Sequence, residues 1–348
     1  MDIRELIALA HEANASDIHL VCGIPPKFRV NGALVSAIDE PLTHEDCELF
    51  ARELAGGRYD EMKTIGELDL AETFEGVRVR INLFRAQGSV SIALRLLSDA
   101  IPPLESLGLP PAVSEFSSMQ RGLIVVTGET GSGKSTTLAA LIDRINHTRA
   151  ENIITMEDPI EYVYKPDQSI ISQREIGQDT ESYHNALRAV LREDPDIILI
   201  GEMRDLETIQ TALTAAETGH LVLATLHTKS AAESIDRMVD VFPEGLQRQI
   251  RMQLSTCLVA VLSQQLLPRR DGQGRSLACE LMMVTPAIRN LIREGKTPQI
   301  ASSLATSAAA GSVTMDNALL ALYRARAIDA ATARENAHDQ DYMRKNTM

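Results

Sequence analysis

The residues with the most evident chemistry are Gly128-Glu129-Thr130-Gly131-Ser132-Gly133-Lys134-Ser135, which fit the pattern G-x-x-x-x-G-K-[ST]. Glycines at 128, 131 and 133 let backbone N–H groups turn inward and form a nest for phosphate oxygens. A helix starting near Lys134 would point the positive end of its dipole at the same anion. Lys134 is expected at the β- and γ-phosphates and the Ser135 hydroxyl on Mg²⁺, with Thr136 close to the phosphates. Thr130 and Ser132 complete the loop. Such a loop works only between a strand and a helix, and Leu123–Val126 and residues 134–147 have those patterns.

Four apolar runs are each followed at once by small or charged residues. Leu123–Val126 leads to Thr127-Gly128, Ile153–Met156 to Glu157-Asp158-Pro159-Ile160-Glu161, Ile197–Ile200 to Gly201-Glu202, and Leu221–Leu226 to His227-Thr228. Helical stretches at 134–147, 182–193 and 205–218 separate them, so a parallel sheet covered on both faces is expected. Ligands sit at the C-terminal ends of such strands, where these polar residues should converge. Hydrolysis of a triphosphate needs a carboxylate to orient or deprotonate water. Glu157, Asp158, Glu161 and Glu202 are the available acids; for Glu157 and Asp158, solvation or helix capping is the alternative. His220 and His227 bracket the fourth run, where a structural role remains open.

Residues 1–98 read as a small α/β domain. Residues 2–13 have helical spacing, 16–21 a strand pattern, and Asn31-Gly32 the chemistry of a tight hairpin turn. Thr43 and Asp46 suit a capping box opening a helix over 43–55. In 77–84, Arg78, Arg80 and Asn82 share the face opposite Val77, Val79, Ile81 and Leu83; in 90–96, Arg95 lies with Ser91 and Ala93. A turn centred near Gln87-Gly88 sets Arg80 across from Arg95. Like charges directly opposed destabilise a sheet, so the pair suggests a bound anion, the alternative being arginines paired to carboxylates. Four prolines and a glycine in 98–112 suggest a semi-rigid linker.

The chain has 348 residues and a net charge of −14, which argues against a protein that coats nucleic acid. No Trp and 3 % aromatics leave little for base stacking. Cysteines at 22, 47, 257 and 279 form no C-x-x-C pair, so neither a zinc module nor a disulfide framework is expected. No apolar run approaches the ~18 residues of a membrane span, and no signal-peptide pattern opens the chain. A reduced, cytoplasmic protein is the simplest expectation.

Residues 128–136, 157–161, 192–205 and 218–228 resemble the P-loop, Asp box, Walker B and His box of the secretion ATPase superfamily. Ala-Ser-Asp-Ile-His-Leu (15–20) resembles the start of that family's PAS-like domain. Residues 287–294 resemble a motif of its pilus retraction branch, the PilT family. The resemblance implies a PAS-like N-terminal α/β domain (1–98), a Pro-rich linker (99–112) and a RecA-like P-loop ATPase domain (113–348), helical from about 285. It implies a cytoplasmic hexamer, peripheral at the inner membrane at the pilus base, that hydrolyses ATP with Mg²⁺ to power pilus retraction. Glu161 would activate water, Glu202 would hold Mg²⁺ through water, and His227, with His220 a weaker candidate, would sense the γ-phosphate. Arg78, Arg80 and Arg95 would reach that phosphate from the N-terminal domain, which packs on the next subunit. Implied partners are an inner-membrane platform protein and, as a further candidate, a paralogous retraction ATPase. An assembly or type II secretion ATPase is the nearest alternative; a nucleic-acid motor and an ATP-binding structural protein are remoter. Two features depart from the branch: Glu129 stands where Pro is common and is expected to face solvent, and the tail after about 330 reads as helical and then fraying.

Overall fold

The computed structural model describes residues 2–30, 32–97 and 100–347. Contacts divide the chain into two compact units, one of residues 1–101 with 159–163, the other of 102–158 with 164–348.

The first unit is a six-stranded sheet backed by helices. Helix α1 (Ile3–Glu12) buries Ile3, Leu6, Ile7 and Ala10, the helical spacing that the sequence carries. Strands β1 (Asp17–Leu20), β2 (Lys27–Val30) and β3 (Ala33–Ser36) precede α2 (His44–Ala55) and α3 (Tyr59–Ile65). Thr43 accepts the Asp46 N–H and Asp46 accepts the Thr43 N–H, so the expected capping box opens α2. Of the expected Asn31-Gly32 turn, Asn31 lies outside the described residues, and Gly32 has φ +84°. Strands β4 (Glu67–Phe74), β5 (Val77–Ala86) and β6 (Ser89–Leu96) complete the order β3-β2-β1-β6-β5-β4. Val79, Ile81, Leu83, Ile92 and Leu94 alternate into the core, which leaves Arg78 and Arg80 of β5 and Arg95 of β6 on the outer face.

The second unit holds a seven-stranded sheet. Its strands are β7 (Gly122–Thr127), β8 (Asn152–Glu157), β9 (Ile170–Glu175), β10 (Ile197–Ile200), β11 (Leu221–Leu226), β12 (Leu258–Pro268) and β13 (Arg275–Met283), in the order β13-β12-β7-β11-β10-β8-β9. All pairings are parallel except β12 with β13. Every residue of β7, β10 and β11 is buried, as near-continuous apolar strands covered on both faces must be. The helices are α4 (Lys134–Thr148), α5 (Tyr183–Val190), α6 (Leu206–Glu217), α7 (Ala231–Asp240) and α8 (Glu244–Cys257), then α9 (Pro286–Glu294), α10 (Ile300–Ala305), α11 (Met315–Arg324), α12 (Ala330–Glu335) and α13 (Gln340–Asn346).

Two expectations change. Of the proline-rich stretch expected as a semi-rigid linker, Ser98 and Asp99 lie outside the described residues, and from Pro102 onward it packs as part of the second unit, the boundary falling inside it. Leu104 is buried, Glu105 pairs with Arg144 of α4, and Arg149 donates to the carbonyls of Ser117 and Met119. The tail does not fray. Asp339 caps α13, Met343 is fully buried, and Arg334 donates to the Thr347 carbonyl at 2.7 Å.

Candidate nucleotide site

Thr127 ends β7 with its hydroxyl at 2.7 Å from the Thr228 carbonyl, while the Thr228 N–H donates back to it at 2.9 Å. This buried exchange fixes the start of the P-loop to the segment after β11. At Gly128 (φ +144°) a Cβ would lie 2.4 Å from the Gln264 carbonyl oxygen and 2.5 Å from Ser132 Oγ, so only glycine fits. Gly133, at φ +93°, opens α4 without a side-chain cap, which leaves the helix's first N–H donors without that partner. Ser132 Oγ is buried and has no hydrogen-bond partner. An orphaned hydroxyl beside an uncapped helix start suits an anion's oxygens.

Lys134 arches over the loop, its Nζ donating to the carbonyls of Gly128 (2.8 Å) and Glu129 (3.0 Å). Ser135, Thr130 and Gly131 are exposed and Thr136 is half-buried. The Glu129 side chain faces solvent and pairs with Lys229 at 3.1 Å. Arg275, which no motif or spacing singles out, donates to the Gly131 carbonyl at 3.1 Å and braces the loop from β13.

Strand register gathers the other groups. Thr127 pairs with Leu226, and Ala224 aligns with Ile200, which aligns with Met156. The segments after β7, β11 and β10 and the end of β8 therefore meet at one edge of the sheet. There Glu202 accepts from Arg204 at 2.7 Å and lies 3.4 Å from His227 Nε2. Burial works to raise the Glu202 pKa, but the Arg204 bond and the fields of His227 and Lys134 outweigh it and hold the carboxyl below its ordinary range. Glu202, His227 and Lys134 thus share one electrostatic neighbourhood. Glu157 accepts from Thr155 (2.7 Å) and Gln173 (3.2 Å). His220 is elsewhere: it precedes β11, at the opposite end of the strand from His227, and its ring bonds the Ala215 carbonyl of α6 at 2.9 Å. Its role is to satisfy a helix terminus.

In the first unit, Arg80 and Arg95 are direct cross-strand partners, the register expected from the turn. Arg95 donates from Nε to Asp17 at 2.9 Å. Arg78 differs: its Nε donates to the Ile160 carbonyl at 3.3 Å, so it holds the Pro159–Val163 segment that carries the half-buried Glu161. Sequence reasoning kept Glu161 with the strand preceding it, whereas its contacts are with the first unit.

In α9, Ile288 and Ile292 are fully buried and Leu291 packs beside them, an apolar stripe at helical spacing. Arg289 turns inward and donates to the carbonyls of Ser255 (2.8 Å) and Thr256 (2.9 Å) at the end of α8.

Among the described residues no helix is long and apolar enough to cross a membrane. Residues 1–345 match the family described as "Type II/IV secretion system protein". The chain is 44 % identical to the type IV pilus retractation ATPase PilT of Pseudomonas aeruginosa, over 97 % of this chain and 98 % of that one. It is 49 % identical to a twitching motility protein of Neisseria gonorrhoeae over 76 % of this chain and 71 % of that one. A crystal structure of the pilus retraction motor PilT with bound ADP superposes with a TM-score of 0.93 at 47 % identity, covering 99 % of each chain. With a glycine-built P-loop between β7 and α4, polar residues gathered at the C-terminal ends of the strands and this likeness along its whole length, the chain belongs to the type II/IV secretion system protein family, on the branch of the pilus retraction ATPases.

Proposed function

We propose that this protein is the ATP-hydrolysing motor of type IV pilus retraction, working as a cytoplasmic homohexamer at the pilus base. The observation that carries the chemistry is the P-loop: glycine-only backbone at Gly128, an uncapped α4 start and the orphaned Ser132 hydroxyl form a cradle for phosphate. Gly131, Gly133 and Thr130 shape it, Thr136 borders the phosphates, and Lys134 exchanges its loop carbonyls for phosphate oxygens. Mg²⁺ keeps most of its water and binds chiefly through phosphate, so a dense carboxylate cluster is not needed. Ser135 directly and Glu202 through water would hold it, and it would neutralise charge on the triphosphate.

Glu161 deprotonates or orients the attacking water. Glu202 and its neighbour His227 register whether the γ-phosphate is present. Arg80 and Arg95 are supplied by the N-terminal unit of a neighbouring copy and stabilise the charge that builds on the transferred group. Arg78 acts through the Glu161 segment, consistent with its bond to Ile160. Loss of the γ-phosphate weakens the attraction, and the resulting rotation is passed to an inner-membrane platform protein. A paralogous ATPase would join at that step.

Deletion in the source organism, with pili counted and surface motility scored, tests the assignment. Excess pili with lost motility is expected. Absent pili would instead make it an assembly motor. Purified protein should release phosphate from Mg-ATP, and absence of turnover in the assembled form would remove the motor reading altogether.

A further inference from the structure

The outer face of the first unit carries a row of charges at one level across four strands. Register places Arg29 of β2 opposite Asp17 of β1, Asp17 opposite Arg95 of β6, and Arg95 opposite Arg80 of β5. The next partner, on β4, is the uncharged Ala71. One carboxylate therefore stands in a row of three guanidiniums.

That carboxylate is the best-sheltered member, its side chain 15 % exposed against 38 % for Arg29 and 66 % for Arg95. Its Oδ1 accepts the Arg95 Nε–H at 2.9 Å; its Oδ2 accepts the Ser16 hydroxyl at 2.7 Å and lies 3.9 Å from Arg29 Nε. Burial works against its charge, but the Ser16 and Arg95 hydrogen bonds prevail and hold its carboxyl below the ordinary range. Arg29 is also tied to the Gly32 carbonyl at 3.1 Å. Arg80 is exposed and makes no hydrogen bond or ion pair among the described residues. The two opposed arginines are thus unequal: one is uncommitted, the other is gripped by its Nε edge.

Opposed guanidiniums on long side chains repel and splay. A carboxylate on the Nε of one of them cancels part of that repulsion and fixes the chain, while its two Nη groups remain open. We propose that Asp17 is a positioning residue that sets Arg95 beside Arg80 as a preformed clamp for the terminal phosphate. Asp17 touches no phosphate itself; it lowers the ordering cost of the arginine that does. This rests on the function proposed above for Arg80 and Arg95.

The test compares Asp17→Asn, Arg80→Ala, Arg95→Ala and the double variant Asp17→Asn/Arg95→Ala in the assembled protein with Mg-ATP. Asp17→Asn should lower kcat about 10–100-fold with little change in KM, because a misplaced clamp costs most where charge develops. In the Arg95→Ala background it should add nothing. Phenylglyoxal modification read by mass spectrometry gives a measure independent of turnover. In the unsubstituted protein Arg80 should react faster than Arg95, and Asp17→Asn should raise the Arg95 rate while leaving the Arg80 rate unchanged.

If both arginine variants retain full turnover, the arginine assignment fails and this inference falls with it. If they lose turnover while Asp17→Asn keeps it, or gains nucleotide affinity as removal of a competing anion would, the positioning role alone is overturned. A further loss in the double variant, or an unchanged Arg95 modification rate, would reduce Asp17 to a structural residue.

Discussion

The P-loop of the second unit and the arginine row of the first, proposed above to act on the same anion, are built from different materials. The P-loop is a backbone device: its shape is enforced by a glycine that tolerates no Cβ and by a buried threonine pair, and its donors are main-chain N–H groups. The arginine row is a side-chain device on a solvent-facing sheet, and its geometry depends on a balance of charges around Asp17. Backbone sites are rigid and fail completely when broken. Side-chain sites are adjustable and fail by degrees, which suits a group that must engage and release.

The largest effects should come from the backbone device. Gly128→Ala drives a methyl into the Gln264 carbonyl, and neither atom has room to yield. It should abolish nucleotide binding measured with a fluorescent ATP analogue, as should Lys134→Ala. Near-normal binding by Gly128→Ala would mean that the loop is not a rigid cradle. Glu161→Gln should come next: ATP still binds, but turnover falls by about 10²–10⁴-fold because positioning survives without the base. A smaller loss is expected for Arg80→Ala, about 10–100-fold in turnover of the assembled protein with unchanged ATP binding by the P-loop. Mixing it with Lys134→Ala subunits should restore activity above either alone; no gain would place the arginines in their own subunit's site.

A pH effect sharpens the contrast within the second unit. The Glu202 carboxyl is held below its ordinary value of 4.5 in the folded protein. Its contribution to stability is therefore complete above the unfolded pKa and is lost as pH falls through the folded one. Glu202→Gln should flatten the acid limb of a stability–pH profile followed by denaturant unfolding. An unchanged limb would mean that its partners do not favour the ionised form. The smallest effect should be Glu129→Ala. The Glu129–Lys229 pair is exposed on both sides, so unfolding stability should move by under about 1 kcal/mol.

The sequence disclosed most where information is local. The P-loop glycines, the α2 capping box and the β5–β6 register all depend on neighbouring residues, because a short turn fixes which side chains face each other. Asp17 was out of reach: its place beside Arg95 depends on β1 lying next to β6, a pairing between distant segments that spacing does not encode. The allegiance of Pro159–Val163 to the first unit is likewise a tertiary fact, carried by a bond from Arg78 to a main-chain carbonyl. His220 and His227 flank one strand, and spacing alone leaves both in play. Chain direction separates them, since only the C-terminal end of β11 meets the P-loop edge. In the tail, one buried methionine and one arginine bonded to the terminal segment replace the expected fraying, and too few apolar residues there announce it.

The central claim is that two separate devices close on one triphosphate. A structure of the assembled protein with Mg²⁺ and a non-hydrolysable ATP analogue tests it most directly. The account predicts the terminal phosphate on Lys134 and the loop N–H groups, with Arg80 and Arg95 of a neighbouring copy within hydrogen-bonding distance. A terminal phosphate bound by the loop but approached by no arginine from the 78–95 hairpin would contradict it.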